Sequence, residues 1–287
     1  MTTATDGVVL VDKPSGWTSH DVVARVRKLA GTRRVGHAGT LDPMATGLLI
    51  VGVGRATRLL GHLAARDKDY DATMRLGVVT STDDAEGEEV SRSDAADVSD
   101  DVLASTVAKF VGDIDQVPST VSAIKVDGVR AYKKARSGEA VALAARRVHV
   151  AELHVLARRG DDVDLRVTCS TGTYVRALAR DIGAELGVGA HLTALRRTRI
   201  GGFTIDAART LDELASQFVI QPIAEVAART FPVWQVDDET AKRLGMGQRL
   251  APAGLAAGPV AAVSPDGSLV ALVEERDDAI RPVTVFT

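Results

Sequence analysis

The sequence predicts an α+β fold, and three patterns along the chain carry that prediction. Apolar and polar residues alternate from Asp69 to Leu76, which is typical of a half-buried strand. Between residues 18 and 31, valines and a leucine recur at helical spacing, which predicts an amphipathic helix. Towards the end of the chain, two apolar runs flank the turn sequence Ser264-Pro265-Asp266-Gly267, which predicts a β-hairpin.

The first half of the chain divides into short strands and helices. Val8-Val11 is predicted as a strand that ends in a turn over residues 12–16. Thr18 and Asp21 are typical of a helix N-terminus, and that helix is expected to end at about Gly31. The further elements predicted here are a buried strand over 48–53, a helix over 56–65, a strand with Tyr70 on its inward face, an acidic surface loop over 80–101 and a helix over 97–111.

The second half begins with a strand over residues 163–169, whose alternation places Cys169 in the core. A helix follows over 173–182, with Ser170 or Thr171 as its cap, and residues 192–200 are extended again. The pattern changes between residues 217 and 233, where two prolines flank an Ala-rich segment. We therefore predict a large domain over residues 1–225 and a small β-rich domain over residues 230–287.

Composition places this chain among ordinary globular proteins. Of its 287 residues, 45% are hydrophobic and 25% are charged, and no apolar segment approaches the length needed to span a bilayer. Because residues 1–7 lack a secretory pattern, we expect a cytoplasmic protein with no membrane contact. A single cysteine and no cluster of Cys and His at ligand spacing predict neither a disulfide nor a metal site.

The net charge of -3 hides a strong segregation of charge along the chain. Residues 1–75 carry a net charge of +4, residues 76–120 carry -9, residues 121–200 carry +7 and residues 201–287 carry -5. Binding of a polyanion needs local cations that neutralise phosphates, not a positive total. The acidic sum therefore does not exclude nucleic acid as a partner.

The most informative stretch runs from Gly36 to Leu49, because it holds one carboxylate, Asp42, inside a loop punctuated by glycines. Glycine adopts positive φ without steric strain, and Pro43 restricts Asp42 to an extended backbone. The apolar run over residues 48–53 anchors such a loop to the core. An Asp-Pro pair alone is typical of an ordinary turn, so the prediction that Asp42 carries chemistry depends on the whole stretch.

The stretch Gly36 to Leu49 resembles the catalytic motif G-H-x-G-T-L-D-P-x-A-x-G-x-L of the TruB family of tRNA pseudouridine synthases, and Asp42 matches its nucleophilic aspartate. Three further segments match family motifs in family order, namely residues 11–19, 68–72 and 169–176, so the resemblance extends from Leu10 to about Phe203. It implies a pseudouridine synthase catalytic domain with a mixed, mostly antiparallel sheet, followed by a PUA-like domain. The reaction involves no redox change, so no cofactor is expected.

The resemblance also implies roles for individual residues. Arg176 is expected to lie against Asp42 and to keep that carboxylate ionised in a dry pocket, since arginine stays charged when buried. Tyr70 is expected to stack on the target uracil and to help remove the C5 proton. The remaining substrate-binding positions implied are Tyr174 and Leu195 lining the uracil pocket, His37 holding the RNA loop in its flipped-out form, and Lys13 supporting the nucleophile loop as a second cation.

Members of the TruB family carry a thumb-like insertion that closes on RNA, and the resemblance places it at about residues 117–150, where this chain is basic. The expected RNA-binding residues are Lys125, Arg130, Lys133, Lys134, Arg146 and Arg147. Taken without the resemblance, a basic stretch of this kind also fits a solvated surface. The acidic residues 80–101 would repel RNA, so we expect them to lie away from the substrate.

The resemblance implies an enzyme that flips out uridine 55 in the T loop of tRNA and isomerises it to pseudouridine. The expected partner is the tRNA T stem-loop, with a monomeric enzyme and no protein partner. Three alternatives stay open: a synthase of the same family acting on ribosomal RNA, a non-catalytic RNA-binding module, and a dinucleotide-binding enzyme. The last rests on the strand that runs into Gly52-Val53-Gly54-Arg55-Ala56-Thr57, although Thr57 replaces the third glycine of that motif.

Overall fold

A computed structural model describes residues 6–119, 125–126, 129–130 and 143–287, and gives only the backbone of residues 125, 126, 129 and 130. The chain divides into two compact units. The first consists of Met1–Asp42, Leu48–Ala64 and Gly201–Thr287, and the second of Pro43–Gly47 and Ala65–Ile200. None of the helices in the described ranges is long and apolar enough to cross a bilayer.

Strands make up most of the regular structure. In chain order they are β1 (Gly7–Lys13), β2 (Val35–His37), β3 (Thr46–Val53), β4 (Lys68–Leu76), β5 (Val78–Thr80), β6 (Glu89–Arg92), β7 (Gly112–Gln116), β8 (Lys125–Val126), β9 (Val129–Arg130), β10 (Arg146–Arg159), β11 (Asp162–Cys169), β12 (Ala190–Ile200), β13 (Phe203–Thr204), β14 (Gln221–Pro222), β15 (Val233–Gln235), β16 (Val260–Val263), β17 (Leu269–Arg276) and β18 (Ala279–Val285). The helices are α1 (Ser19–Ala30), α2 (Leu60–Ala64), α3 (Asp100–Ala108), α4 (Val175–Glu185), α5 (Leu211–Ser216), α6 (Ile223–Thr230) and α7 (Asp238–Gly245), with short 3-10 helices over Gly54–Leu59 and Ile205–Ala207.

In the first unit, α1 packs on strands of a ten-stranded sheet, where β1 pairs with β14 and β2 pairs with β3, both antiparallel. The predicted start of α1 is confirmed, because the Thr18 hydroxyl accepts from Asp21 N at 3.1 Å and the Asp21 carboxylate accepts from Thr18 N at 2.9 Å. Helix α1 ends at Gly31 in the left-handed conformation. Buried valines and leucines of α1, β1, β2, β3 and α5 form the core beneath it.

The C-terminal part of the first unit is β-rich, as predicted. Strands β15, β16, β17 and β18 form a four-stranded sheet with its own apolar core. The predicted hairpin joins β16 to β17, and Gly267 N donates to Ser264 O at 2.9 Å to close its turn. The Arg55 guanidinium donates to Phe286 O at 2.6 Å. A domain boundary at residues 225–230 stays a prediction.

The second unit is built on five strands in the order β12, β4, β11, β10, β7, in which all neighbours are antiparallel. The mostly antiparallel sheet is therefore confirmed. Thr46 and Gly47 at the start of β3 pair in parallel with Arg196 and Arg197 of β12. Helix α4 packs against β12, and its residues Leu178 and Ile182 are buried, as their spacing predicts.

Three local predictions are corrected. Residues 80–101 are not only a surface loop, because Thr80 and Asp84 are buried. Helix α4 is preceded by Tyr174, which makes no side-chain cap bond, so the predicted Ser or Thr cap is wrong. The predicted helix over residues 56–65 begins as a 3-10 turn at Gly54 and becomes α-helical only at Leu60.

The glycine-rich segment after β3 does not form an open phosphate-binding loop. Arg55 N donates to the Asp6 carboxylate at 2.6 Å, and the Arg55 side chain forms an ion pair with the same group. A carboxylate of the protein therefore occupies the place where a dinucleotide motif presents free backbone amides to a pyrophosphate. A Cβ at Gly54 would lie 1.8 Å from Asp6 Oδ1, so this glycine is required by the packed carboxylate.

Candidate active site

The loop that carries Asp42 connects two paired strands of the first unit. His37 pairs with Val51 across β2 and β3, and Ala38 N donates to Ile50 O at 2.9 Å. The residues between these pairs therefore form a hairpin connection whose first part is held by backbone hydrogen bonds. Gly39 lies in this connection with a φ of +93°, a conformation that residues with a side chain rarely adopt.

Ser19 fixes the backbone immediately before Asp42. Its hydroxyl accepts from Leu41 N at 2.9 Å and lies 3.1 Å from Leu41 O, to which it donates. Both residues are buried, so these bonds are shielded from water. Ser19 begins α1, and the sequence analysis did not single it out. A hydroxyl beside the helix cap was its only signal, and nothing local shows that its partner is Leu41, 22 residues further along the chain.

Lys13 and His37 both lie in the first unit. The Lys13 side chain is buried, and its ammonium donates to Trp17 O at 2.6 Å and to Pro14 O at 3.0 Å. Lys13 thus holds the turn between β1 and α1, while direct contact with substrate stays a prediction. The His37 ring is half-buried and meets the His20 ring edge-on, with 5.4 Å between their centroids.

In the second unit, β12 lies between the end of the Asp42 motif and Tyr70. Arg197 pairs in register with Gly47 of β3 on one side and with Tyr70 of β4 on the other. A Cβ at Gly47 would lie 2.3 Å from Arg197 O, so only glycine permits this approach. Tyr70 is buried, as predicted, and Leu195 on β12 is buried as well. Two predicted pocket residues thus occupy neighbouring strands.

Arg176 lies in the first turn of α4 and is 3% exposed. Its guanidinium forms an ion pair with Asp84 at 3.1 Å and donates to Thr82 O at 2.9 Å. Asp84 is held in turn, because its carboxylate accepts from Thr82 Oγ1 at 2.5 Å and from Glu86 N at 3.0 Å. The loop after β5 therefore contributes a buried carboxylate beside Arg176. That these acidic residues lie away from the substrate stays a prediction.

Tyr174, the predicted pocket residue that precedes α4, is held through its backbone. Gln116 Nε2 donates to Tyr174 O at 3.1 Å, and Tyr174 N donates to Gln116 Oε1 at 2.8 Å. The same carbonyl accepts from Leu178 N at 3.1 Å, the first hydrogen bond of the helix. Gln116 is 1% exposed and, like Asp84, was missed by the sequence analysis.

Lys68 is a further buried cation, and it lies on the face of β4 that carries Tyr70. Burial, together with the nearby Arg197 charge, lowers the pKa of its ammonium to about 8. Lys68 Nζ donates to Arg66 O at 2.7 Å. Its register partner on β11 is Cys169, which is buried as predicted and whose thiol pKa is raised to about 11 by burial.

Part of the predicted RNA-binding insertion, including Lys133 and Lys134, lies outside the described residues. Lys125 and Arg130 pair across β8 and β9, with their side chains undescribed. Arg146 and Arg147 begin β10 and are exposed. Arg147 lies 3.3 Å from the Asp115 carboxylate, so part of its charge is neutralised by β7.

Comparison with known proteins identifies the class. Residues 27–175 match the family model described as TruB family pseudouridylate synthase (N terminal domain). Residues 176–228 match the model for the tRNA pseudouridylate synthase B C-terminal domain, and residues 231–287 match the model tRNA Pseudouridine synthase II, C terminal. The protein is a pseudouridine synthase. More narrowly, the chain belongs to the TruB family.

Individual relatives agree with this placement over nearly the full chain. The chain is 57% identical over 289 residues to the tRNA pseudouridine synthase B of Thermobifida fusca, with 98% of both chains covered. It is 56% identical over 292 residues to the protein of the same name from Streptomyces avermitilis, with 98% of this chain and 97% of the relative covered.

Solved structures extend the match to the fold. A chain of a Cbf5-Nop10-Gar1 complex matches with a TM-score of 0.78 and 30% identity, over 99% of this chain and 86% of that chain. A chain of an H/ACA RNP bound to a substrate RNA containing 2'-deoxyuridine matches with a TM-score of 0.75 and 29% identity, over 98% of this chain and 85% of that chain. The predicted fold class and enzyme class are therefore confirmed, and the roles of individual site residues stay predictions.

Proposed function

We propose that this chain isomerises uridine to pseudouridine in tRNA, at position 55 of the T loop. The proposal rests on the Asp42 loop, which connects the paired strands β2 and β3. It is supported by relatives at 56–57% identity that are named tRNA pseudouridine synthase B. The H/ACA RNP structure, which is bound to a substrate RNA and matches at 29% identity, supports an RNA substrate other than tRNA less strongly.

The reaction breaks the bond between N1 of uracil and C1′ of ribose, turns the base, and joins C5 to C1′. C5 then loses its proton and N1 gains one, so substrate and product are isomers and no electrons are exchanged. Asp42 is the group proposed to assist, by attacking C1′ or C6 or by stabilising positive charge as the glycosidic bond breaks. Each of these roles requires Asp42 in its ionised form.

Arg176 is proposed as the cation that stabilises ionised Asp42. It suits that role because it is buried, stays charged, and presents several donors in a fixed plane. Asp84 and the Thr82 carbonyl bind the guanidinium and so restrict its orientation. We therefore add Asp84 as a positioning residue.

The uridine must leave the tRNA stack before Asp42 acts, at a cost of a few kcal/mol. Tyr70 is proposed to stack on the extruded uracil and to help remove the C5 proton. Tyr174 and Leu195 are proposed to line the pocket, and His37 to occupy the space that the base leaves. Stacking on an aromatic side chain contributes about 1–3 kcal/mol per base, which offsets much of the extrusion.

The basic insertion is proposed to bind the T stem-loop, with the exposed Arg146 and Arg147 at its second end. The enzyme is proposed to act as a monomer without a protein partner, and a tRNA substrate implies the cytoplasm. Lys13 is proposed to support the nucleophile loop through the turn that it holds, and to serve as a second cation for the substrate.

Asp42→Asn tests this function. We expect isomerisation of T-loop uridine to be lost while the affinity for tRNA stays within about threefold, because the amide preserves shape but not charge. The same change at the exposed Asp206 of the first unit is the matched control. Unchanged turnover in Asp42→Asn would overturn the proposal.

The position is tested in cells that lack the protein, by mass-spectrometric mapping of their tRNA. We expect unmodified uridine at position 55 and restoration of pseudouridine by the wild-type chain but not by Asp42→Asn. Normal pseudouridine at that position, together with a loss in ribosomal RNA, would favour the ribosomal alternative instead.

A further inference from the structure

The side chain of Gln116 forms two hydrogen bonds with the backbone of a single residue, Tyr174. Its amide donates to Tyr174 O and accepts from Tyr174 N. Because a backbone N–H only donates and a carbonyl only accepts, these partners fix which end of the amide is nitrogen. Gln116 is 1% exposed, so water does not compete for these bonds.

These bonds set the entry of α4. Tyr174 is the last residue before the helix, has an extended backbone (φ -104°, ψ 107°), and contributes no side-chain cap. Its carbonyl also receives the first helical hydrogen bond, from Leu178 N. Gln116 does not bond the free N–H groups of the first helical turn, but it holds both backbone groups of the residue at which extended chain becomes helix.

We propose that Gln116 is a positioning residue for catalysis, acting through Tyr174 on the first turn of α4. Two predicted site residues depend on that backbone. The Tyr174 ring is attached to it, and Arg176 follows two residues later. A shift of the helix entry displaces the pocket wall and the guanidinium together, and small misplacements of positioned groups cause large losses of rate.

The place of Gln116 in the sheet gives this role a second consequence. Gln116 is the last residue of β7 and pairs in register with Arg146, the first residue of β10. The basic insertion thus begins directly after Gln116, and Arg146, within its last residues, pairs with Gln116. Resting on the proposed RNA-binding role of that insertion, Gln116 also connects the strands that flank the insertion to the backbone of Tyr174.

Gln116→Met tests the proposal, since methionine keeps the length and volume of glutamine but makes neither hydrogen bond. We expect the single-turnover rate of uridine isomerisation to fall about tenfold or more, with the Kd for tRNA within about threefold of wild type. The matched control is Leu153→Ala, which truncates a buried side chain of β10 in the same sheet. It should lower the melting temperature with little effect on the rate.

Gln116→Glu tests the hydrogen bonds separately from packing, because it should make the isomerisation rate depend on pH. An ionised glutamate repels Tyr174 O, whereas a protonated one accepts and donates as glutamine does. Burial against a carbonyl raises the pKa of such a carboxyl. The rate of the variant relative to wild type should therefore rise from about pH 8 to about pH 6.

Two results would overturn the proposal. One is a Gln116→Met rate within about twofold of wild type, and the other is a loss that Leu153→Ala reproduces, with no pH rescue in Gln116→Glu. Failure of the proposed function is distinguishable, because wild-type protein would then leave T-loop uridine unchanged in the same assay.

Discussion

Asp84→Asn separates the buried ion pair of Arg176 from everything else that the loop after β5 does. Asparagine keeps an oxygen in place of Asp84 Oδ1, so the bonds from Thr82 Oγ1 at 2.5 Å and Glu86 N at 3.0 Å survive. Its NH₂ group then replaces Oδ2, which lies 3.1 Å from the Arg176 guanidinium. Two donors face each other, and the buried arginine loses its carboxylate.

The magnitude follows from that geometry. At 3.1 Å, two unit charges attract by about 5 kcal/mol at an effective dielectric constant of about 20. Removing one partner of a buried pair costs about 3–5 kcal/mol, and the retained hydrogen bonds favour the lower end. In a chain of this length, a loss of about 3 kcal/mol lowers the melting temperature by about 5 °C. If the misplaced guanidinium costs the transition state about 2.7 kcal/mol more than the ground state, the rate falls about 100-fold.

The assay is release of tritium from C5-labelled uridine in a tRNA transcript, under single-turnover conditions, beside thermal unfolding. Asp83→Asn is the matched control, because Asp83 pairs with Arg180 at 3.1 Å and has a φ of +61°, which asparagine tolerates. We expect that control to change the rate less than about threefold. A rate for Asp84→Asn within about twofold of wild type, or an equal loss in Asp83→Asn, would refute the positioning role.

Four further outcomes follow from the same structure. Arg176→Ala should lower the isomerisation rate about 1,000-fold, or about 4 kcal/mol, with tRNA affinity nearly unchanged, and near-normal turnover would refute its pairing with the nucleophile. Gly47→Ala should destabilise the fold by about 3 kcal/mol or more in urea unfolding, because the new methyl meets Arg197 O and φ is +101°; an unchanged midpoint would contradict this. A third comparison uses two proteins that both carry Cys169→Ser, one with Lys68 and one with Lys68→Met. The free energy of unfolding of the first, relative to that of the second, should rise by about 3 kcal/mol as pH increases from about 8 to 10.5. Stability rises with pH because the pKa of Lys68 is about 8 in the folded protein and 10.5 ordinarily, so the unfolded chain binds more protons between these pH values. A difference in unfolding free energy that does not change with pH would disprove this. The Cys169 thiol is buried and its pKa is raised to about 11, so at neutral pH it should react with a disulfide reagent only as fast as the protein unfolds locally or globally. Thiol labelling rates measured at increasing urea concentration check this. Rapid labelling of the folded protein would refute it.

Elements with a complete local signal were predicted well. Thr18 and Asp21 form the predicted capping box, and the turn before Gly267 joins the predicted strands. In each case the deciding hydrogen bonds join residues three positions apart. Where the bonding partner is distant, prediction from local pattern failed. Tyr174 makes no side-chain cap bond, and its backbone is held by Gln116, 58 positions earlier.

The acidic loop after β5 shows why burial of a polar residue is hard to read from sequence. Asp83 and Asp84 are neighbours of the same type, in a segment that composition marks as surface. Asp84 is nevertheless buried, because Arg176 arrives from α4 with an opposite charge and removes the penalty of burying a lone carboxylate. That pairing joins residues 92 positions apart in sequence.

Charge counted by segment was likewise an incomplete guide to the RNA-facing surface. Residues 121–200 carry +7, yet several of their arginines bind carboxylates within the same unit. Arg166 pairs with Asp71 at 3.0 Å, Arg159 with Asp164 at 2.5 Å, and Arg158 with Asp100 at 3.0 Å. Such pairs leave less charge for phosphate than the count suggests.

The sequence by itself determined the family, the Asp42 motif and the alternation of strands and helices, because these depend on residue type at short, fixed spacing. Only the tertiary structure decided which groups hold the site residues in place: Ser19 at the backbone before Asp42, Asp84 at Arg176 and Gln116 at Tyr174. The physical reason is that a buried polar group needs a partner, and the chain supplies that partner from whichever strand or helix the fold brings near.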